Sequence, residues 1–234
     1  VFIFLIWFNS LLGVLVTHAA PQDNWYLDQY NGFGNAWGMR FPIAIAHGTN
    51  GRSFVVEYDK DRVQFRNENQ EIINIKSCGD NPRGVTYAEG KVYVVSEDSE
   101  RVYVFDETGK SLFTFGSEGS GNGQFKDPYG IASGYNGNDL EIFVTDPSTD
   151  SITVFDENGT YKRKFWSVDG NPRGIVVDDN GSVYVSDIAD RVNVFDLDGE
   201  LQRTITGIHG DPWGLSIYGD RLAVGNSNSN HNKV

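Results

Sequence analysis

Cysteine and basic residues are scarce in this chain of 234 residues. Its only cysteine is Cys78, so an intrachain disulfide framework and a cysteine-based zinc site are both excluded. There are 19 lysines and arginines against 32 acidic residues, and the formal charge of −13 opposes binding to a phosphate backbone. The sequence therefore predicts no nucleic-acid partner. The 27 glycines disfavour helix bundles, because glycine in a helix interior costs about 1 kcal/mol, and the composition favours an all-β protein.

The first twenty residues form an almost continuous apolar segment that ends in small residues, Ala19 and Ala20. This pattern is typical of a secretory signal peptide, although the basic n-region and an initiating methionine are absent, from which we expect a truncated N-terminus. Two alternatives stay open: a signal anchor, since about 20 apolar residues can span a bilayer, or an uncleaved segment that drives self-assembly. All three predict a secreted or extracytoplasmic protein, in contact with a membrane only if residues 1–20 are retained.

Two Asn-Gly pairs lie in N-glycosylation sequons. They are Asn158-Gly159-Thr160 and Asn180-Gly181-Ser182. Asn-Gly also suits hairpin turns, because both residues tolerate positive φ. We therefore expect a turn at each site, and Asn158 and Asn180 are candidate glycan acceptors.

Two phrases recur along the chain with one period. The first phrase begins with a proline, and it occurs at Pro42, Pro82, Pro128, Pro172 and Pro212. Successive prolines are separated by 40, 46, 44 and 40 residues. The second phrase contains a phenylalanine, and it occurs at Phe65, Phe105, Phe155 and Phe195. Successive phenylalanines are separated by 40, 50 and 40 residues. Two independent markers with a common period indicate a repeat architecture.

Each repeat shows the period-two pattern of β-strands. After the proline come an apolar strand, a polar turn, a second apolar strand, a polar loop and a third strand ending in or near Val-Phe-Asp. A tight turn then leads into a fourth strand. Four antiparallel strands in about 40 to 45 residues make one propeller blade. The predicted fold class is therefore all-β, a β-propeller of four-stranded antiparallel blades.

The segment from Pro172 to Asp187, PRGIVVDDNGSVYVSD, resembles an NHL repeat. The connection from Phe115 to Phe125 is also typical of that family, whereas the Gly-His and Trp-Asp landmarks of WD40 repeats do not recur. The resemblance covers about residues 39–226 and implies a full ring of six blades. It implies little about function, because such propellers serve enzymes, receptors, adaptors and scaffolds alike.

The blade count predicts an incomplete ring. Residues 39–226 hold four complete blades and a fifth with two strands, residues 21–38 hold a closing strand and a linker, and residues 227–234 form a polar tail. We expect either a sequence truncated at both ends or open blade edges that pair with another chain, since unpaired strand edges template association. The second alternative includes a subunit of an extracellular filament or assembly.

Residues that follow the repeat prolines should line one mouth of the channel. Besides Ile43, these are Arg83, Tyr129, Arg173 and Trp213. Two arginines and two aromatic residues suit an anionic or sugar-like ligand, through bidentate hydrogen bonds and stacking. The alternative, that the arginines only satisfy blade-end carbonyls or nearby aspartates, stays open.

Carboxylates also recur after the second strands, but their regularity argues against catalysis. Glu57 and Asp187 lie close to arginines that open the next strand, Arg62 and Arg191, which indicates ion pairs that brace a hairpin. Asp146 occupies the same place in another repeat. The sequence contains no recognised catalytic motif, so we assign no catalytic residue, no metal ligand and no cofactor.

The favoured function is a non-enzymatic extracellular binding or scaffold propeller. Its partners would be proteins or glycans, held at the channel mouth and blade edges. The alternative is a propeller-type lyase or hydrolase similar to the peptidylglycine amidating lyase, whose fold resembles this one and which uses a metal held by several histidines. Only His47 and His209 lie within the repeats, and a zinc site needs three or four ligands.

Overall fold

A computed structural model describes residues 3–6, 41–168, 170–208 and 210–226 of the chain. Within these residues the structure is all-β, with nineteen strands and three 3-10 helices of three residues each. None of the described helices has the length and apolar character needed to cross a membrane. The predicted closing strand at residues 25–33 and the polar tail at residues 227–234 lie outside the described residues.

Four consecutive antiparallel sheets form the blades of a β-propeller, as predicted. The first blade consists of β2 (Pro42–His47), β3 (Ser53–Glu57), β4 (Arg62–Arg66) and β5 (Ile72–Ser77). The second consists of β6 (Pro82–Ala88), β7 (Lys91–Ser96), β8 (Arg101–Asp106) and β9 (Ser111–Phe115). The third consists of β10 (Ile131–Asn136), β11 (Asp139–Asp146), β12 (Ser151–Asp156) and β13 (Tyr161–Trp166). The fourth consists of β14 (Pro172–Val177), β15 (Val183–Asp187), β16 (Arg191–Phe195) and β17 (Leu201–Ile205).

The fifth sheet contains β18 (Pro212–Tyr218), β19 (Arg221–Asn226) and β1 (Ile3–Ile6). The 3-10 helices follow or precede second strands, at Thr49–Gly51, Tyr58–Lys60 and Pro147–Thr149. First strands of successive blades pack against one another, β2 on β6, β6 on β10, β10 on β14 and β14 on β18. The first strands are therefore the innermost ones, and they all begin at the same mouth of the channel.

Four of the five repeat prolines begin a first strand, as predicted. The exception is Pro128, which precedes β10 by three residues. The intervening Tyr129 and Gly130 still pair with Thr145, whose carbonyl accepts from the Tyr129 N–H at 2.8 Å. Pro128 therefore keeps its place at the mouth even though the strand begins later.

In the second, third and fourth blades an aspartate at or directly after the end of the third strand shapes the turn that follows, and Asn67 takes this place in the first blade. Asp156 Oδ1 accepts the N–H groups of Asn158 and Thr160 at 2.9 and 2.8 Å, and Asp106 and Asp196 do the same in their own blades. Only glycine adopts positive φ in the Asn-Gly turn, where Gly159 has φ of 82°. The turn is therefore present as predicted, but its asparagine stays at negative φ because the aspartate side chain closes it.

Phenylalanines of the third strands fill the spaces between blades. Phe105, Phe155 and Phe195 are each at most 2% exposed, which confirms that they are buried. The ring of Phe105 lies 5.6 Å from that of Phe65, and the ring of Phe155 lies 4.7 Å from that of Phe115, centroid to centroid. Each ring thus contacts the preceding blade, and aromatic pairs of this kind stabilise the junction.

Phe65 does not hold the position that the repeat period assigned to it. In each blade the pairing between the third and fourth strands has an irregularity at one point. It lies between Phe65 and Arg66 in the first blade and between Val104 and Phe105 in the second. Arg66 is therefore the structural counterpart of Phe105. Residue type suggested the wrong alignment, because the hydrogen-bond register fixes which residues correspond.

The first blade consequently presents a polar face on the side turned away from the second blade. Arg66 is 3% exposed and donates from Nη2 to Gln64 Oε1 at 2.6 Å. Gln64 Nε2 in turn donates to Glu57 Oε2 at 2.8 Å. Where the other three blades carry an apolar ring, this one carries a hydrogen-bonded network that includes a buried guanidinium.

The second strand of the fifth unit, β19, is not an open edge, contrary to the expectation from sequence. Residues Ile3–Ile6 pair in parallel with β19, in the register Ile3 to Leu222 and Ile6 to Gly225. This strand lies within the apolar segment that the sequence identifies as a leader, and its backbone satisfies donors and acceptors that the edge would otherwise expose. The parallel direction differs from the antiparallel pairing of the complete blades.

Candidate functional site

Five side chains from successive blades form a continuous row at the channel mouth, in the order Tyr58, Arg83, Tyr129, Arg173 and Trp213. We call this row the mouth ladder. The guanidinium carbon of Arg83 lies 4.4 Å from the ring centroid of Tyr58 and 5.1 Å from that of Tyr129. That of Arg173 lies 5.2 Å from the ring centroid of Tyr129 and 4.5 Å from that of Trp213. Cations and aromatic rings therefore alternate, an arrangement favoured by the ring quadrupole.

The ladder contains all four residues that sequence places after the repeat prolines of the second to fifth units. Ile43, at the corresponding position in the first blade, is replaced in the ladder by Tyr58, which begins a 3-10 helix after β3. Trp213 is 39% exposed and its ring meets that of Tyr129 edge to face at 5.7 Å. Ligand binding by these residues stays a prediction.

Arg83 is neutralised within its own blade. It forms an ion pair with Glu97, the residue that directly follows β7. The pKa of Glu97 is raised from its ordinary range, mainly because burial disfavours the charged form. The carboxyl group of Asp127 raises it further, and the hydrogen bond from Arg83 opposes both effects.

Arg173 has no such partner among the described residues. Ile188 holds the position after β15 that Glu97 holds after β7, since Pro172 pairs with Asp187 as Pro82 pairs with Ser96. Within the described ranges Arg173 forms no ion pair, and its buried Nε has no hydrogen-bond partner. Both arginines of the ladder lie between aromatic rings, but only the charge of Arg83 is compensated by a carboxylate among the described residues.

A polar cavity of about 290 Å³ opens beside the ladder. Its lining combines ladder residues with polar side chains of the neighbouring loops: Arg83, Glu97, Asp127, Tyr129, Pro147, Ser148, Asn171 and Arg173. The side-chain oxygen of Asn171 is buried and has no hydrogen-bond partner among the described residues. Two residues of the cavity lining, Asn171 and Arg173, thus each keep a buried polar atom without a partner among the described residues, and such an atom costs free energy until it is paired.

Sequence reasoning missed Tyr58, Glu97, Asp127 and Asn171 as members of this site. Tyr58 and Glu97 share a position, directly after the second strand of a blade, while Asp127 and Asn171 each directly precede a repeat proline. Both positions reach the mouth, because second strands end where first strands begin. A sequence search of all residues next to strand ends at the mouth would have found them.

The predicted bracing pairs are present in two blades. Glu57 Oε2 accepts from Arg62 Nε at 2.5 Å, and Asp187 Oδ2 lies 3.4 Å from Arg191 Nε. Asp146 plays another part: its Oδ1 accepts the N–H groups of Ser148 and Thr149 at the start of a 3-10 helix. The carboxylates after the second strands therefore stabilise the blade ends.

No three histidine, cysteine or acidic side chains of the described residues lie close enough together to hold a metal ion. Cys78 is buried, and burial raises the pKa of its thiol far above the ordinary value. This thiol is therefore protonated at neutral pH and is a poor nucleophile.

Both sequons lie at the face opposite the mouth. Asn158 is exposed in the turn between β12 and β13, and Asn180 is exposed in the turn between β14 and β15. Because β14 begins at the mouth, the turn that ends it lies at the far side of the blade, and the same holds for the end of β12. Glycans at these positions would leave the mouth open.

We expect Asp127→Asn to lower the pKa of Glu97 towards its ordinary range. Because the folded-state pKa of Glu97 is raised, folding retains its proton, and the free energy of unfolding falls as pH rises from the ordinary glutamate pKa through the raised value. Asp127→Asn should make that fall smaller in urea titrations at a series of pH values. The matched control is Asp179→Asn, which replaces an exposed turn carboxylate. An unchanged pH dependence in Asp127→Asn would contradict the coupling of the two carboxyl groups.

No protein-family model matches this sequence, and no curated protein matches it, so the NHL resemblance is not confirmed. Among solved structures, the chain is similar to a catalytically inactive histidine-to-alanine variant of virginiamycin B lyase from Staphylococcus aureus with quinupristin. The TM-score is 0.65 at 16% identity, over 81% of this chain and 64% of that one. A streptogramin B lyase gives a TM-score of 0.61 at 15% identity, over 75% of this chain and 58% of that one.

The chain therefore spans less than two thirds of the length of these two structures. At such low identity the likeness establishes the β-propeller fold, and it does not extend to activity.

Proposed function

We propose that this chain is a non-enzymatic extracellular binding propeller whose channel mouth holds an anionic group of a glycan or protein ligand. Secretion, an NHL-type repeat and association through blade edges belong to the same proposal, which rests on the apolar segment and the repeat phrases of the sequence. Because β1 (Ile3–Ile6) covers β19, the edge of the fifth sheet that would take part in association is the outer side of β1. The geometry of the mouth ladder supplies the binding chemistry.

The observation that carries the proposal is the state of Arg173. Its guanidinium is packed between Tyr129 and Trp213, it has no ion pair among the described residues, and its buried Nε lacks a hydrogen-bond partner. A guanidinium that packing already holds in place forms strong bidentate hydrogen bonds to a carboxylate or sulfate. Arg83 serves as an internal comparison for Arg173, because the guanidinium of Arg83 already forms an ion pair with Glu97.

A propeller-type lyase is the second candidate. The solved structures similar to this chain are lyases, a likeness of fold. In addition, a carboxyl pair, Glu97 and Asp127, lines the cavity together with the phenol of Tyr129. Such groups can exchange a proton with a bound ligand, which an elimination reaction requires.

We expect Arg173→Gln to weaken the binding of anionic ligands by at least about tenfold, since hydrogen bonds to a charged group are worth about 1.5 to 3 kcal/mol. Isothermal titration would use small carboxylates, short acidic oligosaccharides and a glutamate-rich peptide as probes. Arg203→Gln, which removes an exposed arginine from the outer strand β17, is the matched control for loss of one positive charge.

The proposal is wrong if no anionic probe binds, or if Arg173→Gln binds them as tightly as the original chain. Product analysis of the same mixtures by mass spectrometry separates the two candidates. Ligand returned unchanged supports a binding protein, whereas cleavage of a bound probe that is lost in Glu97→Gln would establish the lyase.

A further inference from the structure

We infer that the ligand held at the mouth is an acidic sugar residue with a single carboxylate, bound through that carboxylate to Arg173 and through its hydroxyl groups to the acceptor groups that line the same cavity. This inference rests on the proposed function and specifies the class of ligand. It follows from the charge of the chain, the hydrogen-bonding groups of the cavity and the size of the cavity.

The charge of the chain favours a ligand with one negative charge. The formal charge of −13 repels polyanions at long range, and the ladder offers only one uncompensated guanidinium among the described residues, that of Arg173. A sulfated or phosphorylated polymer carries many negative charges that this field repels, and it would form only one favourable contact, with Arg173. A single carboxylate gains the contact with the smallest repulsion.

The part of the cavity lining that does not belong to the ladder consists mainly of hydrogen-bond acceptors, and we call it the acceptor wall. Asn171 Oδ1 is buried without a described partner, and the carboxyl groups of Asp127 and Glu97 line the same cavity. Ser148 donates its hydroxyl to Asp127 Oδ2 at 3.3 Å and leaves an oxygen that can accept. These acceptors require a ligand that donates several hydrogen bonds, and adjacent hydroxyl groups on a sugar ring provide them.

A hydroxyl group suits this wall better than an ammonium group does. The charge of Glu97 is already compensated by Arg83, and burial together with the neighbouring Asp127 raises the pKa of Glu97. A hydroxyl group can bond to a carboxyl group in either protonation state, acting as donor or acceptor as required. The wall therefore does not depend on a cationic ligand.

The size and polarity of the cavity agree with one sugar ring. At about 290 Å³ it lies at the lower end of the range for small-molecule sites. Its lining side chains are polar apart from Pro147 and the ring of Tyr129, which leaves little apolar surface for the hydrocarbon part of a peptide side chain. A polyhydroxylated ring can satisfy such a lining around its whole circumference.

The experiment compares four probes on the whole chain by isothermal titration: galacturonate, galactose, propionate and N-acetyl-glutamate amide. We expect galacturonate to bind at least about tenfold more tightly than each of the others, because only it combines the carboxylate with ring hydroxyl groups. If propionate or the glutamate derivative binds as tightly as galacturonate, the sugar inference is wrong while the proposed function stands. If none of the three carboxylates binds, both are wrong.

Asn171→Gly tests the acceptor wall without straining the backbone. Asn171 has φ of 55°, a value that glycine adopts freely, so the variant removes the side chain alone. We expect its affinity for galacturonate to fall about five- to tenfold and its affinity for propionate to stay the same. Asn50→Gly, an exposed position with φ of 56° between β2 and β3, is the matched control and should change neither. An equal loss for both probes in Asn171→Gly would overturn the assignment of the hydroxyl groups to this wall.

Discussion

Phe155→Ala should destabilise the protein by about 3 to 5 kcal/mol, which is the usual cost of removing a fully buried phenylalanine. Phe155 is 1% exposed and lies where the second and third blades meet. Its ring is 4.7 Å from that of Phe115, 5.6 Å from that of Phe125 and 6.5 Å from that of Tyr161, centroid to centroid. Truncation would leave a cavity whose three aromatic walls belong to different strands and loops, so it cannot close by a local shift.

Urea titration of Phe155→Ala measures this loss directly. Leu112→Ala is the control, because Leu112 is 42% exposed on an outer strand and its removal should change the free energy of unfolding by about 0.5 kcal/mol or less. A near-neutral effect of Phe155→Ala would contradict the packing between blades. The same result in Phe105→Ala and Phe195→Ala would refute it for the whole propeller.

Gly174→Ala should destabilise the fold by about 1 to 3 kcal/mol, which is the usual cost of overpacking a filled site. It should also weaken anion binding at the mouth. A Cβ atom on Gly174 would lie 2.5 Å from the carbonyl oxygen of Trp213 and 3.2 Å from the amide nitrogen of Leu215. These are backbone atoms of the fifth sheet, so the two sheets must separate. The separation would move Trp213 away from Arg173, whose guanidinium it now covers.

Gly121→Ala controls for the substitution itself. A Cβ atom there meets the side chain of Gln124, which can rotate away, and no backbone atom within 4 Å. We expect Gly121→Ala to retain both stability and binding. If Gly174→Ala binds anionic probes as the original chain does, the position of Trp213 is not needed for the function of Arg173.

The amino-acid sequence by itself determined the blades. Period-two alternation, proline at the first strand and, in three of the blades, aspartate at the end of the third strand are local signals. The structure has four complete antiparallel blades in the predicted places. The same periodicity correctly predicted that Phe105, Phe155 and Phe195 are buried. Such features depend on neighbours within a few residues, and therefore a sequence displays them directly.

The placement at the channel mouth of the residues after the prolines could be predicted for the same reason. The side chains that these residues contact could not be predicted. Arg83 and Arg173 stand in the same sequence phrase, Pro-Arg-Gly, and the sequence gives no sign that they differ. Their difference arises from the residue that follows the second strand of each blade, Glu97 in one and Ile188 in the other. That residue lies about 15 positions away along the chain and meets the arginine only when the hairpin pairs in its register.

Tertiary structure alone decided the register and the long-range contacts. It identified Arg66 as the counterpart of Phe105, because pairing with the fourth strand fixes the position of the bulge. It also placed Ile3–Ile6 beside β19, more than 200 residues away in the chain. Alternation of residue types specifies which face of a strand is buried. It does not specify which distant strand satisfies the backbone hydrogen bonds, and that choice is made by the packing of the whole chain.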